Sequence, residues 1–244
     1  MNLLAFDTST DRLFLALQRD DSVWEWEGAG GAQSSATLIP AIRQLLAQGG
    51  LTLGDLEALV FGRGPGSFTG LRTACAVAQG LAFGTPGARQ GQGLPVLPVD
   101  TLLAVAEDAR ARHGVTQVVA ALDARMNEVY TAAFAWQTTP DHPHGQWQAQ
   151  ADWQVTPPEA LEVPPGWTVA GNAKAVYGER LAPQAAHVHA LPTARALLRL
   201  APALIAAGEA VAARDALPRY VRDKVAQTTA ERAALAKAAD IPTP

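Results

Sequence analysis

Three short runs hold the residues best able to do chemistry. Asp7, Thr8 and Ser9 set a carboxylate beside two hydroxyls, a group suited to magnesium or phosphate at a turn. The same residue types also bond their own backbone in ordinary turns. "GRGPGSFTGLR", Gly62 to Arg72, is a glycine-rich turn leading into an apolar stretch, the pattern of a phosphate cradle or of a tight strand-to-helix junction. "VAGNAKAVYG", Val169 to Gly178, is a second such turn, with Gly171 and Asn172 placed to meet a nucleotide or simply to connect two elements. Asp123 and Glu128 offer an acid pair, although carboxylates are common in hairpin turns. The spacings of His142 with His144 and of His187 with His189 put each pair on one side of a strand, but two imidazoles without a third ligand make a poor zinc site.

The glycine-rich turn fails both nucleotide signatures. A Walker A loop needs Lys and then Ser or Thr after its second glycine, whereas Ser67-Phe68 follow Gly66 and Leu71-Arg72 follow Gly70. In the dinucleotide fingerprint the third glycine would come one residue before Gly70. Ser67 lacks the nucleophile elbow of a hydrolase. What remains is a turn in which Ser67 or Thr69 caps a helix.

At about 100° per residue, Leu71, Ala74, Cys75, Ala78 and Ala82 form one stripe of that helix. Thr69, Thr73, Ala76 and Gly80 lie opposite, and Arg72 is the only charge. Gly80 costs about 1 kcal/mol of helix stability relative to Ala, which close packing would offset. The preceding helix, Ser34 to Gln48, carries only Arg43. Two neighbouring helices thus lack a water-facing side, and either the chain's own segments cover them or another protein does. On the second reading Ser34, Leu38, Thr69, Arg72, Thr73, Ala76 and Gly80 are the partner contacts.

The elements that must position these residues begin with a hairpin, Leu3–Phe6 with Leu13–Gln18. A second hairpin repeats it, Val118–Leu122 with Val129–Phe134, and the match of Asp7 with Asp123 and Leu13 with Val129 suggests a duplicated lobe. Between them strands alternate with helices at 34–48, 69–83 and 101–113, which predicts a mixed sheet with helices packed on it. Further on, "WQAQADWQV" reads as one strand, 174–181 as a helix, and 194–207 as an apolar helix that Pro202 kinks or divides. The expected division is a first lobe at 1–99 bearing the partner helices, a smaller second lobe at 100–222 whose last helix packs back on the first, and a tail at 223–244. From Arg214 to Lys237 there are six basic and three acidic residues, a local positive balance.

The 244 residues are 48% hydrophobic and 17% charged, the balance of a folded globular chain. A net charge of −4 gives no global reason to bind nucleic acid, so RNA contact must be local or belong to a partner. Cys75 is the single cysteine, which rules out an internal disulfide and fits a reducing cytoplasm. Neither a signal peptide nor a membrane span is expected.

Taken together, "LLAFDTST", "GRGPGSFTGLRTACAVAQGLAFG", "LPVDTLL", "ALDARMNEVY" and "PRYVRDKVA" resemble, in order and over most of the chain, the TsaB (YeaZ) family, once labelled glycoprotease-like or peptidase M22-like. The resemblance implies an ASKHA (actin-like ATPase) fold of two duplicated ribonuclease H-like lobes. It also implies a cytoplasmic subunit that works with the catalytic paralogue TsaD and the ATPase TsaE to place threonylcarbamoyl on the adenosine beside the anticodon of certain tRNAs. In TsaD a pair of histidines spaced HxxxH binds metal just after the strand matching "LPVLPV". Here that stretch, Val99 to Glu107, holds no histidine, so the chain is expected to carry no catalytic metal and to be no enzyme by itself.

The resemblance further implies that the two uncharged helices meet equivalent helices of TsaD, or of a second copy when TsaD is absent, with tRNA held indirectly. Many relatives carry a histidine where Ser34 stands. No cofactor of its own is expected, although ATP or ADP at the complex interface would meet Asp7, Thr8, Ser9, Gly171 and Asn172. A stand-alone ATPase or small-molecule kinase, and more remotely a metalloprotease, are the alternative readings.

Overall fold

The computed structural model describes residues 1–85, 93–140, 142–143 and 145–221. The chain opens with β1 (Asn2–Asp7), β2 (Arg12–Arg19) and β3 (Ser22–Ala29), then α1 (Ser34–Gly49), β4 (Ala58–Gly64), α2 (Phe68–Gly84), β5 (Val96–Asp100) and α3 (Thr101–His113). It continues with β6 (Gln117–Asp123), β7 (Val129–Gln137), β8 (Gln146–Ala149), β9 (Gln154–Thr156), β10 (Thr168–Gly171), α4 (Ala173–Tyr177), β11 (Ala186–His189) and α5 (Ala194–Ala206). One sheet runs β3-β2-β1-β4-β5 and the other β8-β7-β6-β10-β11, with β9 also paired to β7. In each, the first two pairings are antiparallel and the last two parallel. The chain is therefore a mixed α/β structure with two mixed sheets of matching order, the architecture of a ribonuclease H-like fold.

Burial on both faces explains why the first strands are almost wholly apolar. Leu4, Phe6, Leu15, Leu17, Leu59 and Phe61 meet α1 and α2 on one side of the sheet. Leu3, Ala5, Phe14, Ala16 and Val60 meet α5 on the other, where Leu197, Leu198 and Ala201 cover them. The last helix thus returns to the first sheet. Pro202 lies inside α5 without dividing it. Helix α3 joins the lobes, since Leu102, Val105, Ala106 and Ala109 pack on β6 and β7. Its buried acids hold it in place: Glu107 accepts from Arg110 twice at 2.9 Å and from Trp147 Nε1 at 3.0 Å, and Asp108 accepts from Thr193 Oγ1 at 3.1 Å and from the Leu191 amide at 3.2 Å. The far face of the second sheet has a smaller core around Val119, Ala121, Val169 and Leu181.

Three expectations need correction. Phe14 faces Asp7 across the first ladder, and Val129 faces Asp123 across the second, so the first turn is one residue longer and Phe14, not Leu13, matches Val129. "WQAQADWQV" forms two strands, β8 and β9, because the chain bends at the exposed Gln150 and Ala151 after the Gln150 amide bonds the Ala133 carbonyl at 2.8 Å, and both strands then pair with β7. The helix expected over 174–181 ends at Tyr177 and continues as a single tighter turn, Gly178–Arg180.

Candidate functional site

The carboxyl ends of β1, β4, β6 and β10 meet between the lobes around a cleft of about 530 Å³. One wall carries Ser9, Thr10 and the turn into α2 from Pro65 to Phe68; the other carries Asp123 to Met126, Asn172 and Val176; Tyr220 and Val221 close a side. Ligands of α/β folds gather at such strand ends. Ser9 and Asn172, far apart in sequence, come to one cavity, while Asp7, Thr8 and Gly171 lie behind its walls.

Asp7 is fully buried. Its Oδ1 accepts from the Ser9 amide at 2.8 Å and from Ser9 Oγ at 2.6 Å, while Oδ2 has no partner. Burial pushes its pKa up to about 6, against the opposing pull of hydrogen bonds from Ser9 and Thr101. A side chain on Gly62 would run into Oδ2, so glycine is required for β4 to pass this carboxyl. Thr8 Oγ1 donates to the Gly70 carbonyl at 2.7 Å, and the Ser67 amide donates to the Ser9 carbonyl at 2.7 Å. These bonds sew the end of β1 to the start of α2, where Ser67 Oγ caps the Gly70 amide.

Asp123, the counterpart of Asp7, is also engaged within the chain. Its Oδ1 lies 2.7 Å from Tyr177 Oη and accepts from the Arg125 amide at 2.9 Å, Oδ2 is 3.4 Å from Arg125 Nη1, and its own amide donates to Asn172 Oδ1 at 2.9 Å. Burial first, and then Asp123, push the Tyr177 phenol up to about 12. Gly171 packs against the Ala121 carbonyl at φ +149°, a position closed to side chains.

The faces of α2 fall as its sequence periodicity requires. Leu71, Ala74, Cys75, Ala78 and Ala82 are buried; Thr69, Arg72, Ala76, Gly80 and Phe83 are exposed, and Thr73 is half-buried. A side chain at Gly80 would meet open space. Beside it, α1 exposes Ala36, Ile39, Pro40, Arg43 and Ala47. Ile39 at 45% and Phe83 at 64% exposure are large apolar side chains left in water. Ser34 and Leu38, expected on this face, are instead fully buried, because they share the helical stripe of Ala41, Ile42 and Leu45 that packs on the sheet.

The final described segment straps the other flank of α2. Val211 pairs with Val96, the Ala216 carbonyl accepts from Cys75 Sγ and Gln79 Nε2 at 3.0 Å each, and the Arg219 amide donates to the Arg63 carbonyl at 2.8 Å. Burial raises the Cys75 thiol pKa. Arg219, read from sequence as part of a basic tail, lies over Trp153 at 3.4 Å and pairs with Asp152 at 3.4 Å and Asp100 at 3.8 Å. Nothing in the local sequence marks that role, which depends on residues 67 and 119 positions away. Arg222, Lys224 and the 223–244 tail lie outside the described residues, as does His144. His187 Nε2 is 3.0 Å from the Ala182 carbonyl. Among the described residues no helix is long and apolar enough to cross a membrane.

Residues 30–230 match the model of a family described as TsaD, tRNA N6-adenosine threonylcarbamoyltransferase. The chain is 33% identical to the tRNA threonylcarbamoyladenosine biosynthesis protein TsaB of Escherichia coli, covering 93% of this chain and 96% of that protein. It is 34% identical to the TsaB of Haemophilus influenzae, with 92% and 95% covered. Among solved structures it is similar to YeaZ from Pseudomonas aeruginosa, with a TM-score of 0.79, 38% identity, and 90% of this chain and 99% of that one covered.

Proposed function

This chain belongs to the TsaB (YeaZ) family, and from that premise we propose that it serves tRNA threonylcarbamoyladenosine synthesis as a non-catalytic subunit, pairing through α1 and α2 with the paralogue TsaD and working with TsaE. The supporting observation is the α1–α2 surface, two adjacent helices whose exposed sides carry Ala36, Ile39, Pro40, Ala47, Ala76, Gly80 and Phe83 and no charge besides Arg43 and Arg72, where a monomer would place several Lys or Glu. The stretch after β5 has Thr101, Leu102 and Leu103 where the paralogue's first metal ligand is expected, which supports assigning the chemistry to the partner. The matching sheets support an ASKHA architecture of two duplicated lobes. With no partner present, the same face would pair two copies.

Gly80→Arg tests the assignment, because it places a long charged side chain in open space and leaves the fold alone. The variant should melt like the parent yet fail to co-elute with TsaD and fail to support tRNA modification in a reconstituted system. Unchanged co-elution refutes the surface.

A second reading, a stand-alone ATPase or kinase, draws support from the cleft. Its volume, the α2 amino terminus and the hydroxyls of Ser9 and Ser67 suit a phosphate-bearing ligand. Asp7 fits poorly, since its free oxygen is enclosed against Gly62. ATP turnover by the isolated chain that is lost on Asp7→Ala would favour this reading.

A further inference from the structure

Arg43 and Arg72 are the only charges on α1 and α2, and neither meets a carboxylate among the described residues. Arg72 is nevertheless held in place. Its Nε donates to Tyr220 Oη at 3.1 Å, its guanidinium carbon lies 3.9 Å from the centroid of the Phe68 ring, and the Phe68 and Tyr220 rings are 5.4 Å apart. Stacking and an engaged Nε leave the two terminal nitrogens, which have no partner among the described residues, as a paired donor edge that matches one carboxylate. Ordering the side chain beforehand lowers the entropy lost on association.

We propose that Arg72, seated on Phe68 and held by Tyr220, is a preset receptor for one carboxylate of a partner protein, and that this face fits an acid-bearing helical surface better than a second copy of this chain. The inference rests on the α1–α2 surface being the partner surface, and charge complementarity names the occupant. A two-fold pairing of identical faces would bring together the arginines of both copies with no acid from either helix pair. The small residues Thr69, Ala76 and Gly80 let a second backbone approach closely, which excludes water and strengthens a charge pair. Two arginines on helices that also expose Ile39 and Phe83 are too few for a nucleic-acid backbone, so a protein is the better fit. Tyr220 and Phe68 are positioning residues that act through Arg72.

The test is titration calorimetry with the TsaD-type partner at low and moderate salt, comparing the parent with Arg72→Ala, Arg72→Lys, Tyr220→Phe and Gly80→Arg. Arg72→Ala should weaken binding roughly ten- to a hundredfold and flatten the salt dependence. Arg72→Lys should restore only a small part of the loss. Tyr220→Phe should weaken binding about threefold while keeping the salt dependence, because the charge stays and only its hold is lost. Parental affinity in Arg72→Ala, with binding abolished by Gly80→Arg, overturns the receptor and leaves the surface standing. Parental affinity in Gly80→Arg overturns both. A homodimer as tight as the mixed complex overturns the preference for an acid-bearing partner, and loss of tRNA affinity alone in Arg72→Ala makes the ligand a phosphate and overturns the proposal.

Discussion

A carboxyl group enclosed on every side is more stable there with its proton than without it. Asp7 titrates near 3.8 in the unfolded chain and at about 6 in the fold. Its contribution is therefore fully present below pH 3.8 and is lost as pH rises through about 6. The shift corresponds to roughly 3 kcal/mol between those limits. Denaturant unfolding at pH 4.5 and pH 7 should show this loss, and Asp7→Asn should flatten it, because the amide keeps the acceptor for Ser9 and carries no charge. An unaltered pH slope in that variant would place the titration elsewhere. Gly62→Ala should destabilise by about 2 kcal/mol or more at any pH, since its new methyl group overlaps the Asp7 carboxyl, and a melt would show it. From sequence, Asp7 reads either as a turn residue or as a ligand, because Asp, Thr and Ser at a strand end serve both. Only the position of Gly62 across the sheet shows that the carboxyl points inward.

The phase of α2 is legible in its sequence, where Leu71, Ala74, Cys75, Ala78 and Ala82 form one uninterrupted apolar stripe and Thr69, Arg72 and Thr73 lie off it. That of α1 is less so. Ala36, Ile39, Pro40 and Ala47 face water while Leu38, Ala41, Ile42 and Leu45 face the sheet, so apolar residues on both sides leave little contrast. The strap from Val211 to Val221 is invisible to periodicity because it forms no long element, just one tight turn at Ala213–Asp215, a bridge to Val96, bonds to α2 and the contacts of Arg219. Yet Ala213 and Ala216 are fully enclosed in the core beneath it. Truncation after Gly208 should lower the melting temperature by well over 4 °C, as expected when several buried contacts are removed from one domain. A truncated chain that melts like the parent would show the strap to be decorative.

Across the whole molecule the lobes are joined at α3, by its buried Glu107 and Asp108, and at Arg219, which touches Asp100 on one side and Asp152 and Trp153 on the other. Arg219→Ala should cost about 1–2 kcal/mol through the lost stacking and ion pairs, partly screened by salt because the side chain is half exposed. Melting at two salt concentrations measures it. The return of α5 to the first sheet has a further consequence during synthesis. A ribosome that has released only the chain up to Asp100 has made all five strands of that sheet, yet the side bearing Leu3, Ala5, Phe14 and Val60 stays bare until residues near Ala206 emerge. The amino-terminal sheet must wait, sticky and unfinished, for a helix made much later, which makes the nascent chain a natural client for chaperones.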